Sequence, residues 1–360
     1  MSLTLLEADN LRIVEHITLE PGPHLNVIAG PNGSGKTTLL EAIHLLALGR
    51  TFRSGRTAQL LRAGTDTLTV RGHWRTHAGE AVAIGIERTA TGRRIRINGQ
   101  TALTIGALAH VMPVQVIGPE SRYRLTHSAR YRRGMIDWGL FHVEPQFYPL
   151  WSRYERALQQ RNAALRTAAG NANLDSWDAE LAQTGEEILS RRADYACRWE
   201  PRIAQYARLL LGTDGLTVTL ARGWPVGLSL AQALCAARSQ DRERGHTTCG
   251  PHRSDLIVTL DEMPLRERGS QGQQALAVVA LRLAQIDLYL RGAGRQCVLL
   301  LDDIAGELDA QRRQELLAAL GSLGAQAFIT ATEASRIVTR AGQTRVFHVE
   351  QGRLTVSENA

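Results

Sequence analysis

The sequence predicts an α/β fold that carries an antiparallel β patch and an inserted helical domain, and three observations predict it. Strand-like and helix-like segments alternate toward both ends of the 360-residue chain. A long helical texture fills roughly residues 127 to 211. A glycine-rich loop runs directly from a strand into a helix. The length suffices for two domains, or for one α/β domain interrupted by an insertion. The composition divides it into residues 1–118, the first part of the α/β domain; 119–250, the largely helical insertion; and 251–360, where the α/β character returns.

In order along the chain, residues 3 to 9, 12 to 20 and 24 to 29 read as strands, and the last, HLNVIA, enters the glycine-rich loop. The segment TTLLEAIHLLAL, from about 37 to 48, has apolar residues at helical spacing. Strand-like segments at 66 to 74, 80 to 88 and 93 to 97 end in an Asn98-Gly99 turn and form the antiparallel patch. PVQVI at 113 to 117 is a short buried strand, and the helical stretch follows. Beyond it come a strand at 255 to 260, a helix at 271 to 291, the apolar run CVLLL at 297 to 301, a helix at 310 to 320, a strand at 325 to 329 and terminal strands near 344 to 356.

The first twenty residues lack the basic-then-apolar plan of a signal peptide, and no apolar run approaches the roughly 18 residues of a membrane span. The four cysteines (Cys197, Cys235, Cys249, Cys297) form no CxxC pair, which argues against zinc and fits four small buried residues in a reducing compartment. A cytoplasmic protein without a membrane partner is expected. The net charge of +7 and pI near 9.7 favour a polyanionic partner. Lys36 is the only lysine among 42 basic residues. Under a coding bias toward arginine, lysine survives best where a compact ammonium is needed and a planar fork does not fit.

That lysine lies in Gly30-Pro31-Asn32-Gly33-Ser34-Gly35-Lys36-Thr37, which matches the phosphate-loop pattern G-x-x-x-x-G-K-[ST] between a strand and a helix. The glycines let backbone N–H groups point inward, and the helix start adds unpaired N–H groups and a positive dipole end. The loop therefore predicts a P-loop NTPase that binds ATP and Mg²⁺. Lys36 reaches the β- and γ-phosphates, Thr37 places its hydroxyl on the metal, and Thr38 completes the contacting set.

The apolar run from Cys297 to Leu301 ends in Asp302-Asp303, so it reads as a buried parallel strand delivering carboxylates at its C-terminal edge. Asp302 is the expected partner of Mg²⁺, and Asp303 is placed to orient or deprotonate the attacking water. Before the 271–291 helix stands Ser270-Gln271-Gly272-Gln273. Ser270 and Gln273 form a capping box, and such a helix start also presents N–H groups to an anion, with Ser270, Gly272 and Gln273 as the contacts. Its natural use is in trans, across a head-to-tail dimer with ATP between the subunits.

Taken together these residues resemble the ABC-type ATPase heads of the SMC and Rad50 group and, within it, the bacterial RecF family. The resemblance rests on Asn10-Leu11-Arg12, the loop GPNGSGKT, Gly49-Arg50-Thr51-Phe52-Arg53, Gly250-Pro251-His252-Arg253-Ser254-Asp255-Leu256, Ser270-Gln271-Gly272-Gln273 and LLLDDIAGELD at 299 to 309. It spans essentially the whole chain. Gln271 stands where arginine is expected, Gly306 where serine is usual, and Leu11 where phenylalanine is common. Thr330-Ala331-Thr332 lacks the histidine that transporters carry at this switch. Asp309 is similar to the D-loop aspartate and equally suits a helix N-cap. The resemblance implies a slow ATPase of recombinational repair and replication that dimerises on ATP, binds single-stranded, gapped and duplex DNA, works with RecR and RecO to load RecA, and supports the SOS response. A transporter subunit and an SMC-like rod are the rival readings. The missing histidine counts against the first, and the roughly 85 helical residues make only a short arm for the second.

Nine arginines stand against four acids between residues 119 and 170, and eight of the 18 aromatics lie between Tyr123 and Tyr154. Two readings stand. Either Arg122, Arg124, Arg130, Arg132 and Arg133 neutralise DNA phosphates beside stacking rings, or they are the outer face of a helical core. Arg93-Arg94-Ile95-Arg96 is a second basic stretch, on the antiparallel patch.

Overall fold

The computed structural model describes residues 1–53, 57–102, 105–167, 174–294, 296–306, 308–337 and 344–357. The chain forms two compact units, Met1–Ser121 with Gly294–Ala360, and Arg122–Ala293.

The first unit holds two six-stranded sheets. One follows the order Arg353–Ser357, Thr344–Glu350, Leu25–Ala29, Gln326–Ala331, Val298–Leu301, Val114–Ile117, parallel throughout except for the terminal hairpin. Every residue of Gln326–Ala331 and of Val298–Leu301 is buried, as central parallel strands covered on both faces are. The other sheet is antiparallel, in the order Val14–Leu19, Ser2–Leu11, Thr67–Arg75, Ala81–Thr89, Arg93–Ile97, Gln100–Thr101. Its strands alternate, sending Leu6, Val70, Trp74, Ile84, Ile86 and Ile95 inward.

The helix Lys36–Leu48 shares one core with both sheets, and eleven of its thirteen residues are buried. It is apolar on nearly all sides because it is covered on nearly all sides. Gly72 lets the antiparallel sheet approach it, since a Cβ there would lie 2.6 Å from Leu46 Cδ2.

The second unit packs the helices Ala129–Val143, Phe147–Leu165, Leu174–Leu211 and Gln271–Ala293 with a small antiparallel sheet, Met263–Pro264, Asp255–Leu260, Leu216–Ala221. Gly139 admits the ring of Tyr195, whose hydroxyl also receives Gln285 Nε2 at 3.3 Å. Arg161 is fully buried and bonds to Asp178, Asp241 and Thr247. Arg192, also fully buried, bonds to Asp137, Pro251 O and Ser254 and lies over the Trp151 ring. Leaving either buried charge without its partners would cost several kcal/mol, roughly 3 to 5.

Composition and contacts draw different boundaries. By contacts, residues 251–293 go with the helices, because Asp255–Leu260 pairs with Leu216–Ala221 and Gln271–Ala293 packs on Leu174–Leu211. The strand Leu216–Ala221 and the short helices Ile105–Val111, Leu230–Ala236 and Arg238–Arg244 are not foreseen in the sequence. Of the cysteines only Cys297 is buried, against the expectation for all four; Cys197 and Cys235 are exposed. Among the described residues no helix is long and apolar enough to cross a membrane.

Candidate active site

The strand Leu25–Ala29 ends at Gly30, and the chain curls through Gly33 (φ +78°) and Gly35 (φ +114°) into the helix at Lys36. A Cβ on Gly30 would lie 2.2 Å from Val349 O, so the terminal hairpin seats the loop, and Gly352 N–H donates to Ser34 O at 2.8 Å. Among the described residues the N–H groups of Gly33, Gly35, Lys36, Thr37 and Thr38 have no backbone acceptor. The helix start has no side-chain cap and no acid in its first turn. Such a start binds an anion, because its unpaired N–H groups and dipole end point into the loop. Ser34 Oγ is buried with no partner among the described residues, as a group reserved for a ligand would be.

Lys36 is 5% exposed and donates to Gly30 O at 2.9 Å and Pro31 O at 3.0 Å. The ammonium crosses the loop on neutral carbonyls. Pro31, Asn32 and Gly33 form the exposed rim, and Gly30, Ser34, Gly35 and Thr38 the buried floor.

Asp302 and Asp303 follow the buried strand Val298–Leu301. Thr37 Oγ1 donates to Asp302 Oδ1 at 2.9 Å, which joins two halves of a site 265 positions apart. Burial pushes the Asp302 carboxyl above its usual range and the charge of Asp303 adds to this, while bonds from Thr37 and Thr330 and the Arg53 charge pull it back. Asp303 adopts a left-handed backbone, φ +53°, and its N–H donates to Thr330 Oγ1 at 2.8 Å. The strand Gln326–Ala331 lies between the phosphate-loop strand and the acid-tipped strand, so its end brings Thr330 to both carboxylates.

The residues fit a magnesium ion. A hydroxyl and a carboxylate lie in contact beneath an anion-binding loop, and no group of three His, Cys, Asp or Glu exists among the described residues to form an all-protein cage. Magnesium takes few protein oxygens and shares the rest of its shell with phosphate and water.

Two stretches that carried the resemblance converge on Glu41 of the phosphate-loop helix. This fully buried carboxylate receives Arg12 Nε and Nη2 and the Thr51 hydroxyl, with Arg53 at 3.9 Å.

In the second unit Ser270 Oγ accepts Gln273 N–H at 3.2 Å and Gln273 Oε1 accepts Ser270 N–H at 2.9 Å, so the capping box is formed. A Cβ on Gly272 would meet nothing, and the helix start is open there. Arg122 Nη1 donates to Gln271 Oε1 at 2.9 Å. Arg132 makes a bidentate pair with Asp255, and Arg133 donates to Ser254 O. Both therefore hold the 250–255 stretch, as does Tyr154 through His252. Arg124 is half-buried and Arg130 exposed. Asp309 caps the helix Ala310–Leu323, accepting Arg312 N–H at 2.8 Å.

The chain matches the RecF/RecN/SMC N-terminal domain family over residues 2–355. It is 39% identical to the DNA replication and repair protein RecF of Pseudomonas aeruginosa strain LESB58, covering 99% of this chain and 98% of that one. The chain belongs to the RecF family. The RecF of Shewanella denitrificans is 38% identical over 99% of this chain and all of its own length. A solved structure of the recombination mediator RecF with ATP superposes with a TM-score of 0.87 at 25% identity, covering 99% of this chain and 97% of that one. An Smc head from Pyrococcus furiosus, at 15% identity and a TM-score of 0.63 over 99% of this chain and 95% of that one, shares the fold. The fold is thus that of the P-loop ABC ATPase heads.

For this RecF-family chain, the sequence missed Glu41, and it placed Thr330 at the switch position without giving it a role. Thr330 is the next-to-last residue of the strand Gln326–Ala331, and an ordinary side chain is all that marks it. Glu41 could have been found as the one acid on this largely apolar helix.

Proposed function

We propose that this RecF-family chain is an ATP-operated DNA-binding protein of recombinational repair and replication. Two subunits close head to tail on shared ATP, with Ser270, Gly272 and Gln273 of each meeting the nucleotide of its mate. The observation that carries this reading is the Thr37–Asp302 bond beneath the unpaired N–H groups of the phosphate loop.

Lys36 turns from its loop carbonyls to the β- and γ-phosphates, and residues 30 to 38 surround them. Thr37 and Asp302 hold Mg²⁺, which when bound neutralises charge on the phosphate oxygens. Asp303 accepts a proton from a water whose oxygen attacks the γ-phosphorus; the bond to the β-γ bridging oxygen breaks and ADP leaves. An aspartate here is one methylene shorter than a glutamate and suits slow turnover, in which hydrolysis releases DNA.

The relatives' description as replication and repair proteins, and the solved structures' description as mediators of the RecFOR pathway, support a cytoplasmic role with RecR and RecO in loading RecA and in the SOS response. Single-stranded, gapped and duplex DNA are the polyanionic partners. Sedimentation with and without ATP and DNA tests the scheme. Wild type becomes a dimer with ATP, and Asp303→Asn binds ATP and accumulates dimer; a wild-type monomer under all conditions would sink the reading.

A further inference from the structure

We infer that Thr330 is the positioning residue for Asp303, fixing the carboxylate that takes the proton from water; this rests on the role proposed for Asp303 above. Asp303 is a non-glycine residue with φ +53°, a backbone state that side chains other than Asn and Asp rarely adopt and that local hydrogen bonds hold in place. Its carbonyl accepts the Gly306 N–H at 3.2 Å, and its own N–H goes to one hydroxyl. Thr330 Oγ1 is buried and accepts the Asp303 N–H at 2.8 Å, and it lies 3.0 Å from Asp302 Oδ1 and 3.5 Å from Asp303 Oδ1.

A threonine hydroxyl has one proton and two lone pairs. One lone pair is taken by the Asp303 N–H, which fixes the left-handed turn and with it the direction of the Asp303 side chain. The proton goes to a carboxylate, and the nearer oxygen is Asp302 Oδ1, which Thr37 also engages. The hydroxyl therefore joins the metal-side carboxylate to the backbone of the base. Thr330 itself is held in register on both sides: its Cα pairs with Ile28, two residues before Gly30, and its neighbour Ile329 pairs with Leu301, the residue before Asp302. A side chain fixed by two parallel neighbours gives the residue it holds a set place, and the rate of a positioned reaction falls steeply when that place shifts by about 1 Å.

The test compares Thr330→Val, which keeps the shape and loses the hydroxyl, Thr330→Ser, which keeps the hydroxyl, and Asp303→Asn. ATP affinity, ATP-dependent dimerisation, melting temperature and the steady-state parameters are measured for each. Thr330→Val is expected to lower kcat about tenfold or more while KM and ATP affinity stay within about twofold, and Thr330→Ser to restore kcat to within about threefold. Equal loss in the valine and serine variants, or ATP affinity falling together with kcat, marks a structural role and overturns the inference. Wild-type kcat in Thr330→Val beside an inactive Asp303→Asn overturns it and leaves the role of Asp303 intact. An active Asp303→Asn removes the reading on which both rest.

Discussion

Lys36 bonds two carbonyls of its own loop at 2.9 and 3.0 Å, a distance that only a compact ammonium on a flexible stem spans in so small a space. Arginine carries the same charge on a planar fork with five donors, and at 5% exposure the position has no room for it to turn. Lys36→Arg is therefore expected to weaken ATP binding at least about tenfold, roughly 1.4 kcal/mol, with the fold intact. Titration with a fluorescent ATP analogue checks this, and wild-type affinity in the variant would show that charge alone is read. The lysine and the loop glycines stand at a fixed spacing in the sequence and the paired aspartates end an apolar run, so both sides of the Thr37–Asp302 contact were legible there. The role of Thr330 was not. It comes from the strand order, which puts Gln326–Ala331 between the two halves of the site, and strand order across parallel neighbours has no local signature.

The phosphate-loop helix shows at the next scale how burial governs the site. His44, on its inner face, is buried, bonds through Nδ1 to Arg50 O and packs edge-on to Phe52. Burial lowers its pKa to about 4, against the pull of the Arg50 carbonyl. A lowered histidine pKa means that the unfolded chain takes up a proton before the folded one does. Its contribution is complete above about pH 6.5 and is lost as pH falls toward 4, by roughly 3 kcal/mol. His252 of the second unit, also lowered to about 4 chiefly by burial, follows the same sign. Protection factors of the Lys36–Leu48 amides, taken relative to the intrinsic exchange rate at each pH, should thus fall on acidification between these limits, and His44→Gln should flatten that dependence. An unchanged acid dependence in the variant would mean that His44 is not held neutral. Most elements were legible from apolar runs of the right length and neighbourhood, the helix Lys36–Leu48 behind its glycine-rich loop and the strand Asp255–Leu260 among them. Leu216–Ala221 escaped because LTVTLA follows a long helix without a turn signal stronger than Gly212 and Gly215, and its partner lies about forty residues away.

Over the whole molecule, the basic excess of the helical region has two components that composition cannot separate. Arg132, Arg161 and Arg192 spend their charge on Asp255, on Asp178 and Asp241, and on Asp137. These arginines assemble the second unit. Arg130 is exposed, in a unit where Tyr123 also stands 65% exposed and stacked on His127 at 4.3 Å. An exposed cation and an exposed ring in one unit suit the proposed DNA contact, whereas a bidentate pair already satisfied by a carboxylate does not. Each phosphate neutralised steepens log K against log salt by about 0.9 on duplex DNA. Arg130→Ala is therefore expected to flatten that slope by about 0.9 and leave the melting temperature unchanged. Arg132→Ala is expected to lower the melting temperature by several degrees, since it strands Asp255 at the base of the small sheet. The two are distinguished by binding isotherms at four salt concentrations beside thermal melts. If Arg132→Ala changes the slope with no loss of stability while Arg130→Ala changes neither, charge in this unit is deployed the other way round. The ion pair with Asp255 would then be a resting partner that DNA displaces.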